Sequence, residues 1–172
     1  LLRLLDGRNC PNLTGVVDAS GCTGLVEVYL EGTSITNLKL PNGGQTEIVH
    51  LPETITNLTL MNLTKLKELV APSFVNVSTL RLENVGNIVD TFEILESIAS
   101  GSRVRLIGVE WSFDTAEEIA GLNNIITSMR GLDENGNNVD TPQISGTCHI
   151  ETLTGAELNQ LKALYPYLTI TY

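Results

Sequence analysis

A six-residue pattern, L-x-x-L-x-L, recurs along the first half of the chain every 20 to 22 residues. It is clearest at 35–40, 55–60 and 77–82, and a degraded copy starts at Leu13. Apolar and polar residues alternate at the end of each copy, which places the apolar ones on one side of a short strand. One coil of this length cannot bury its own apolar face, so the repeat predicts coils that stack.

A second series of strand-like segments lies between these copies, at 25–30, 45–50 and 66–71. Two interleaved series with one period predict two extended segments per coil, one on each side of a flattened core. Glycine and proline residues between the series, as at 41–44, mark the turns. Residues 1–86 are therefore predicted to form a parallel β-solenoid.

After residue 86 the spacing lengthens and helical patterns appear. Apolar periodicity and N-terminal capping residues predict helices at 91–99, 114–129 and 154–164, and alternation predicts strands at 103–108, 144–150 and 168–171. Strands that alternate with helices give the fold class α/β. Residues 87–172 are predicted to form β–α coils that extend and cap the same solenoid. A separate small α/β domain is the alternative.

The units from Leu13 to Val85 resemble the irregular leucine-rich repeats of bacterial surface proteins. The ending, 155–172, is similar to the close of such repeat regions in structural (tail) proteins of phages and prophages of gut Firmicutes. The resemblance implies a leucine-rich-repeat solenoid located outside the cell, on a bacterial surface or a virion, that serves in recognition or adhesion. The chain departs from more regular members because the sequence shows no regular Asn or Cys ladder.

The charge of the chain limits its partners. The formal net charge is −10, and the ten basic residues are dispersed. A phosphate backbone is bound by clustered Lys and Arg, so nucleic acid is not expected as a partner. No stretch approaches the roughly 18 apolar residues of a membrane helix, so membrane insertion is not expected. The remaining partners are a protein or glycan ligand, or neighbouring subunits.

The sequence lacks the motifs of common catalytic, metal and cofactor sites. His50 and His149 are far apart, and Cys10, Cys22 and Cys148 include no C-x-x-C pair. We therefore predict no enzyme, no metal and no cofactor. The cysteines are predicted to be buried thiols, with Cys10 and Cys22 at equivalent positions of successive coils. A disulfide between those two is the alternative for an exported protein.

The acidic stretch 133–140 alternates oxygen-bearing side chains, as calcium loops do. It fails the EF-hand template, because Asn138 stands where glycine is needed and Ile144 where glutamate is needed. A solvated loop around the Asn135–Gly136 turn is the preferred interpretation.

The outward positions of the first series are the predicted ligand-binding residues: Asn37, Lys39, Asn57, Thr59, Thr79, Arg81 and Arg105. In-register neighbours on parallel strands are about 4.8 Å apart, so these side chains form a strip of amides, hydroxyls and cations. Such a strip suits sugars or an acidic protein surface. The alternative is a solvated sheet face.

The second series predicts another candidate surface, on which Glu27, Glu47 and Glu68 stack beside Tyr29, Val49 and Val70. Aligned carboxylates repel one another, so the stack would hold a cation, meet a basic partner or spread into water. The whole pattern predicts a non-catalytic recognition module. A structural spacer that binds only neighbouring subunits is the alternative, and a glycan-cleaving enzyme is less favoured.

Overall fold

The computed structural model describes residues 1–86, 94, 96–112, 121, 124, 127–149, 154–164 and 168–171. The early strands are β1 (Leu4–Asp6), β2 (Thr14–Asp18), β3 (Glu27–Tyr29), β4 (Ser34–Lys39), β5 (Ile48–His50), β6 (Asn57–Met61), β7 (Glu68–Val70) and β8 (Thr79–Glu83). The later elements are β9 (Arg103–Ser112), β10 (Arg130–Leu132), β11 (Asn138–Val139), β12 (Gln143–His149), helix α1 (Gly155–Leu164) and β13 (Leu168–Thr171).

The strands form two sheets, as the two interleaved series predict. The narrow sheet has the order β1-β3-β5-β7, and all of its pairs are parallel. The broad sheet runs β2-β4-β6-β8-β9 in parallel and continues through β10 and β12. Up to β8, each coil contributes one strand to each sheet, and the chain is a parallel β-solenoid of about four turns.

The core lies between the two sheets and consists of aliphatic layers. On the broad sheet Leu58 pairs with Leu80 and Leu80 with Val104, and all three side chains are fully buried. The narrow sheet contributes Val28 and Val49, which are adjacent in register and equally buried. Burying such a side chain contributes roughly 1.5–3 kcal/mol. Since the layers repeat from coil to coil, each coil provides the surface on which the next one packs.

The narrow sheet corrects the alignment of the second series. Glu27 pairs with Ile48, and Ile48 with Glu68, so Glu47 lies one residue before β5 and outside the register. A one-residue slip moves every side chain of a strand to the opposite face. The observed register buries Val49 completely, whereas the predicted one placed Val49 on the outer surface. Burial of this valine accounts for the difference.

A ladder of asparagines connects the turns that follow the broad-sheet strands, although the sequence showed no regular ladder. Asn62 Nδ2 donates to Asn42 Oδ1 at 2.7 Å, and Asn84 Nδ2 donates to Asn62 Oδ1 at 3.0 Å. The residues Gly43, Asn62, Asn84 and Gly108 occupy the same backbone position in successive turns, and all four have positive φ. Glycine and asparagine are the residues that adopt this conformation most readily, so the ladder and the turn select the same residue type.

The second half of the chain joins the broad sheet through the β8–β9 pair. Helix α1 and strand β13 agree with their predicted positions. The predicted helices at 91–99 and 114–129 fall largely outside the described residues. The hairpin of β10 and β11 was not predicted, since residues from 133 onwards were taken as a loop. The described residues are mainly strand.

The cysteines at 10 and 22 are free. Cys10 lies in the turn between β1 and β2, and Cys22 lies in the turn between β2 and β3 on the other side of the same coil, so the predicted equivalence in successive coils is wrong. The backbone N–H of Leu13 donates to Cys10 O, and that of Leu25 donates to Cys22 O, both at 2.9 Å. Cys22 is partly buried, but Cys10 is exposed, so the prediction of a buried thiol is wrong for Cys10. The side chain of Cys148 lies outside the described part.

Substitutions at Asn62 should separate the two contributions of the ladder. Asn62→Ala removes two amide hydrogen bonds and forces an alanine into the left-handed region, for a total cost of about 2 kcal/mol. Asn62→Gly removes the same hydrogen bonds without the conformational strain and should cost about 1 kcal/mol. Urea unfolding of both variants measures the difference. Equal free energies of unfolding would show that the left-handed turn contributes nothing.

Candidate functional site

The predicted strip on the broad sheet is present as two rows of outward side chains in register. The first row consists of Asn37, Asn57, Thr79, Arg103 and Arg130, and the second row of Lys39, Thr59, Arg81, Arg105 and Gln143. The structure therefore brings together all seven residues of the predicted strip. It adds Arg103, Arg130 and Gln143, which the repeat pattern did not reach because the coils lengthen after β8.

The first row begins with a pair of amides. Asn57 Nδ2 donates to Asn37 Oδ1 at 3.3 Å and to Thr56 Oγ1 at 3.1 Å. Asn37, Asn57 and Thr79 are each partly buried, because neighbouring coils pack beside them. This packing restricts the amides and the hydroxyl to few orientations. The start of the row is thus a set of oriented hydrogen-bonding groups rather than mobile surface side chains.

The second row is largely neutralised by carboxylates. Glu83 Oε1 accepts from Arg81 Nε at 2.7 Å and from Arg105 Nε at 2.6 Å, and the three side chains are only 13–14% exposed. Lys39 lies 3.5 Å from Asp18, a pair exposed to solvent. The cations that the sequence assigned to a ligand are therefore paired within the protein. Glu83 was missed, although its position two residues after Arg81 puts it on the same face of β8.

Glu83 is held in its ionised form by the two arginines. Burial of the Glu83 carboxyl acts to raise its pKa, but the hydrogen bonds from Arg81 and Arg105 outweigh burial, and the pKa is lowered. The group is thus a carboxylate flanked by two guanidinium ions on neighbouring strands, and this arrangement fastens β8 to β9.

The stretch 133–140, for which a solvated loop was preferred over a calcium loop, contains the turn and the second strand of the β10–β11 hairpin. The Asp133 carboxylate accepts from the backbone N–H groups of Asn135 and Asn137, both at 2.8 Å, and from Asn137 Nδ2 at 2.9 Å. The bonds from Asn137, chiefly that from its side chain, lower the pKa of Asp133. Within the described residues, no group of three His, Cys, Asp or Glu side chains is arranged to hold a metal.

This turn also packs against the second row. Arg81 Nη2 donates to Glu134 O at 2.6 Å, across a separation of 53 residues. A cavity of about 470 Å³ lies beside the turn, with Arg105 and Gln143 among its lining residues. The hairpin therefore covers the part of the second row that contains Arg81 and Arg105.

The second candidate surface is a cluster centred on His50. His50 Nδ1 lies 2.6 Å from Glu31 Oε1, and His50 Nε2 lies 2.7 Å from Glu68 Oε1. The Tyr29 ring meets the His50 ring edge-on at a centroid distance of 4.9 Å, and its hydroxyl donates to Glu27 Oε2 at 3.0 Å. We call these five residues the His50 cluster.

The His50 cluster replaces the predicted glutamate stack. Ile48 separates Glu27 from Glu68 in the register, and Tyr29 is followed by His50 and Val70 rather than by two valines. Glu47 lies outside the cluster and accepts from Lys67 Nζ at 2.8 Å. Since a histidine lies between the carboxylates, the repulsion expected of three aligned glutamates does not arise.

The geometry around His50 favours its charged form. An ionised carboxylate only accepts hydrogen bonds, so each ring nitrogen must carry a proton to donate to its glutamate. Burial of His50 acts to lower its pKa, but the hydrogen bonds to Glu31 and Glu68 outweigh burial, and the pKa is raised. The imidazolium therefore bridges two coils of the narrow sheet electrostatically. With both ring nitrogens engaged, the ring is placed as a bridge rather than as a metal ligand or a general base.

No family model, curated protein or solved structure matches the chain. Among the described residues, no helix has the length and apolar character needed to cross a membrane.

The His50 cluster predicts a stability that depends on pH. The folded pKa of His50 is raised above its ordinary value of 6.5. Its contribution should be fully present below the unfolded pKa and lost as the pH rises through the folded pKa. Urea unfolding at a series of pH values should show this loss in the wild type and not in His50→Gln. Glu31→Gln should reduce the dependence, whereas Glu47→Gln should leave it intact. Parallel curves for the wild type and His50→Gln would contradict the prediction.

Removal of the Glu83 carboxylate should be costly. Glu83→Gln leaves Arg81 and Arg105 adjacent and partly buried without an anion, and we expect a loss of about 3 kcal/mol in the free energy of unfolding. Lys39→Gln is the control, because breaking its exposed pair with Asp18 should cost less than about 1 kcal/mol. Chemical denaturation measures both. Similar small losses would show that Glu83 does not fasten β8 to β9.

Proposed function

We propose that this chain is a non-catalytic recognition or adhesion module that binds an extended glycan along the first row of the broad sheet. The observation that carries the proposal is the in-register row of partly buried amide and hydroxyl groups, Asn37, Asn57 and Thr79, on a rigid sheet. Amides and hydroxyls donate and accept hydrogen bonds, as sugar hydroxyls do, so the row matches the chemistry of a sugar chain.

The shape of the row suits an extended ligand. Five strands at about 4.8 Å spacing give a row roughly 19 Å long. Its groups are fixed by the core beneath them, so binding would immobilise few side chains and lose little conformational entropy. Individually weak contacts then add up along the solenoid face.

We propose further that the solenoid is of the leucine-rich-repeat type and belongs on a bacterial surface or a virion. The coil length supports this type, with 20 residues between Asn37 and Asn57 and 22 between Asn62 and Asn84. The asparagine ladder at the turns supports it as well. The location follows from the resemblance to bacterial and phage repeat proteins, for which recognition is the expected role.

A structural spacer or assembly module is the alternative function, and one observation favours it. At the edge of the first coil Leu4 and Val16 are 48% and 55% exposed, and within the described residues β1 and β2 each pair on one side only. Exposed apolar residues beside an open strand edge are suited to contact with a neighbouring subunit.

The first-row proposal predicts loss of ligand binding when its polar groups are removed. On an array of bacterial and mucosal glycans, the triple variant Asn37→Ala, Asn57→Ala, Thr79→Ala should no longer bind the glycans that the wild type binds. Arg81 is left unchanged because its pairing with Glu83 makes it structural. The control is Asn12→Ala with Asn135→Ala, which removes two exposed amides outside the row.

Three outcomes separate the candidate functions. Loss of binding in the triple variant alone supports the first row, provided that its urea midpoint shows a folded protein. Equal binding by both variants would move the site off this row. The spacer would be favoured by two results together. The wild type binds no glycan, and it self-associates at micromolar concentration in analytical ultracentrifugation, whereas the double variant Leu4→Lys, Val16→Lys does not.

A further inference from the structure

The first row ends in two adjacent arginines. Arg130, the first residue of β10, pairs in register with Arg103, the first residue of β9, and Arg103 pairs with Thr79 on its other side. Neighbouring parallel strands are about 4.8 Å apart, so two positive side chains extend from neighbouring positions of the sheet. In a chain with a net charge of −10, this is a local concentration of positive charge.

The arginine pair lacks the neutralisation seen in the second row. Arg81 and Arg105 share the Glu83 carboxylate, whereas neither Arg103 nor Arg130 has a carboxylate within ion-pair distance in the described part of the chain. Arg103 Nε is also buried without a hydrogen-bond partner there. Two close guanidinium ions without an anion repel each other, so an added anion at this position would be stabilised.

A cavity of about 240 Å³ opens at this arginine pair, where strands β8, β9 and β10 begin. Ser78, Ser100 and Asn76 contribute to its walls, and its two ionisable lining residues are Arg103 and Arg130. None of the described residues that line the cavity is acidic, so the charge on its walls is positive. These are the properties of an oxyanion site, and the volume suits one small charged group rather than a whole ligand.

We propose that Arg103 and Arg130 bind the carboxylate of a uronic acid in an acidic glycan, whose adjoining sugars lie along the first row. This inference rests on the proposed function and names the ligand's chemistry. A guanidinium binds a carboxylate through paired hydrogen bonds. The amides and the hydroxyl next to the arginines favour a sugar chain over an acidic protein, since the hydroxyls of a sugar chain can form a hydrogen bond at each successive position of the row.

The site can be tested apart from the row with single sugars. Sodium glucuronate and galacturonate are titrated against ¹⁵N-labelled full chain while the arginine side-chain Nε–Hε resonances are followed by NMR. Their neutral methyl esters serve as matched ligands. The acids should shift the Arg103 and Arg130 resonances in a saturable manner, weakened by salt because the attraction is ionic. If neither acid shifts these resonances, or the esters shift them equally, the inference is overturned.

The whole binding surface is tested with hexagalacturonate and its methyl ester by calorimetry. Arg103→Gln and Arg130→Gln should each weaken binding of the acid by about 10-fold to 100-fold. Arg3→Gln, an exposed arginine before β1, is the charge-matched control and should have little effect. Equal affinity for acid and ester, unchanged in both variants but lost in the triple alanine variant, would overturn this inference while the proposed function stands. Suppose instead that the acid binds more tightly than the ester, that both arginine variants weaken binding and that the triple alanine variant does not. That result would place the ligand at the arginines alone and remove the row from the proposal.

Discussion

Burial of aliphatic side chains between two parallel sheets is the interaction on which the remaining structure depends. Leu58, Leu80 and Val104 on the broad sheet, with Val28 and Val49 on the narrow one, have no exposed surface. A coil gains this burial only by matching the register of its neighbours, because a slip by one residue would turn its apolar side chains outward. Fixed inner layers in turn fix the outer side chains. The rows on the broad sheet are thus a consequence of the core.

Once the rows are fixed, the charges on them determine what each row can do. In the second row Glu83 neutralises Arg81 and Arg105, and the β10–β11 turn accepts a further bond from Arg81, so that row stabilises the fold. In the first row Arg103 and Arg130 have no such carboxylate among the described residues. One set of arginines is structural and the other is suited to an external anion, although both lie on the same face of one sheet.

The sequence predicted the broad-sheet strands of the first half and their outward residues correctly, because the L-x-x-L-x-L pattern reports burial directly. It misplaced Glu47, since matching the glutamates of the second series overlooked one additional residue before β5. The asparagine ladder was missed for a different reason. Asn42, Asn62 and Asn84 repeat at the same spacings of 20 and 22 residues as the first series, but they lie in the turns, outside the apolar alternation that defined the repeat. Whether the first-row residues bind a ligand stays a prediction.

The sequence by itself determined the coil length, the two strands per coil and the inward set of side chains in the first series. These depend on local alternation and on a period that the chain repeats. Only the tertiary structure decided which polar side chains pair, because those contacts cross between coils. Glu83 meets Arg105 22 residues away, and Arg81 reaches a carbonyl 53 residues away. Distances of about 3 Å between such groups depend on the lateral packing of whole coils, which no local pattern encodes.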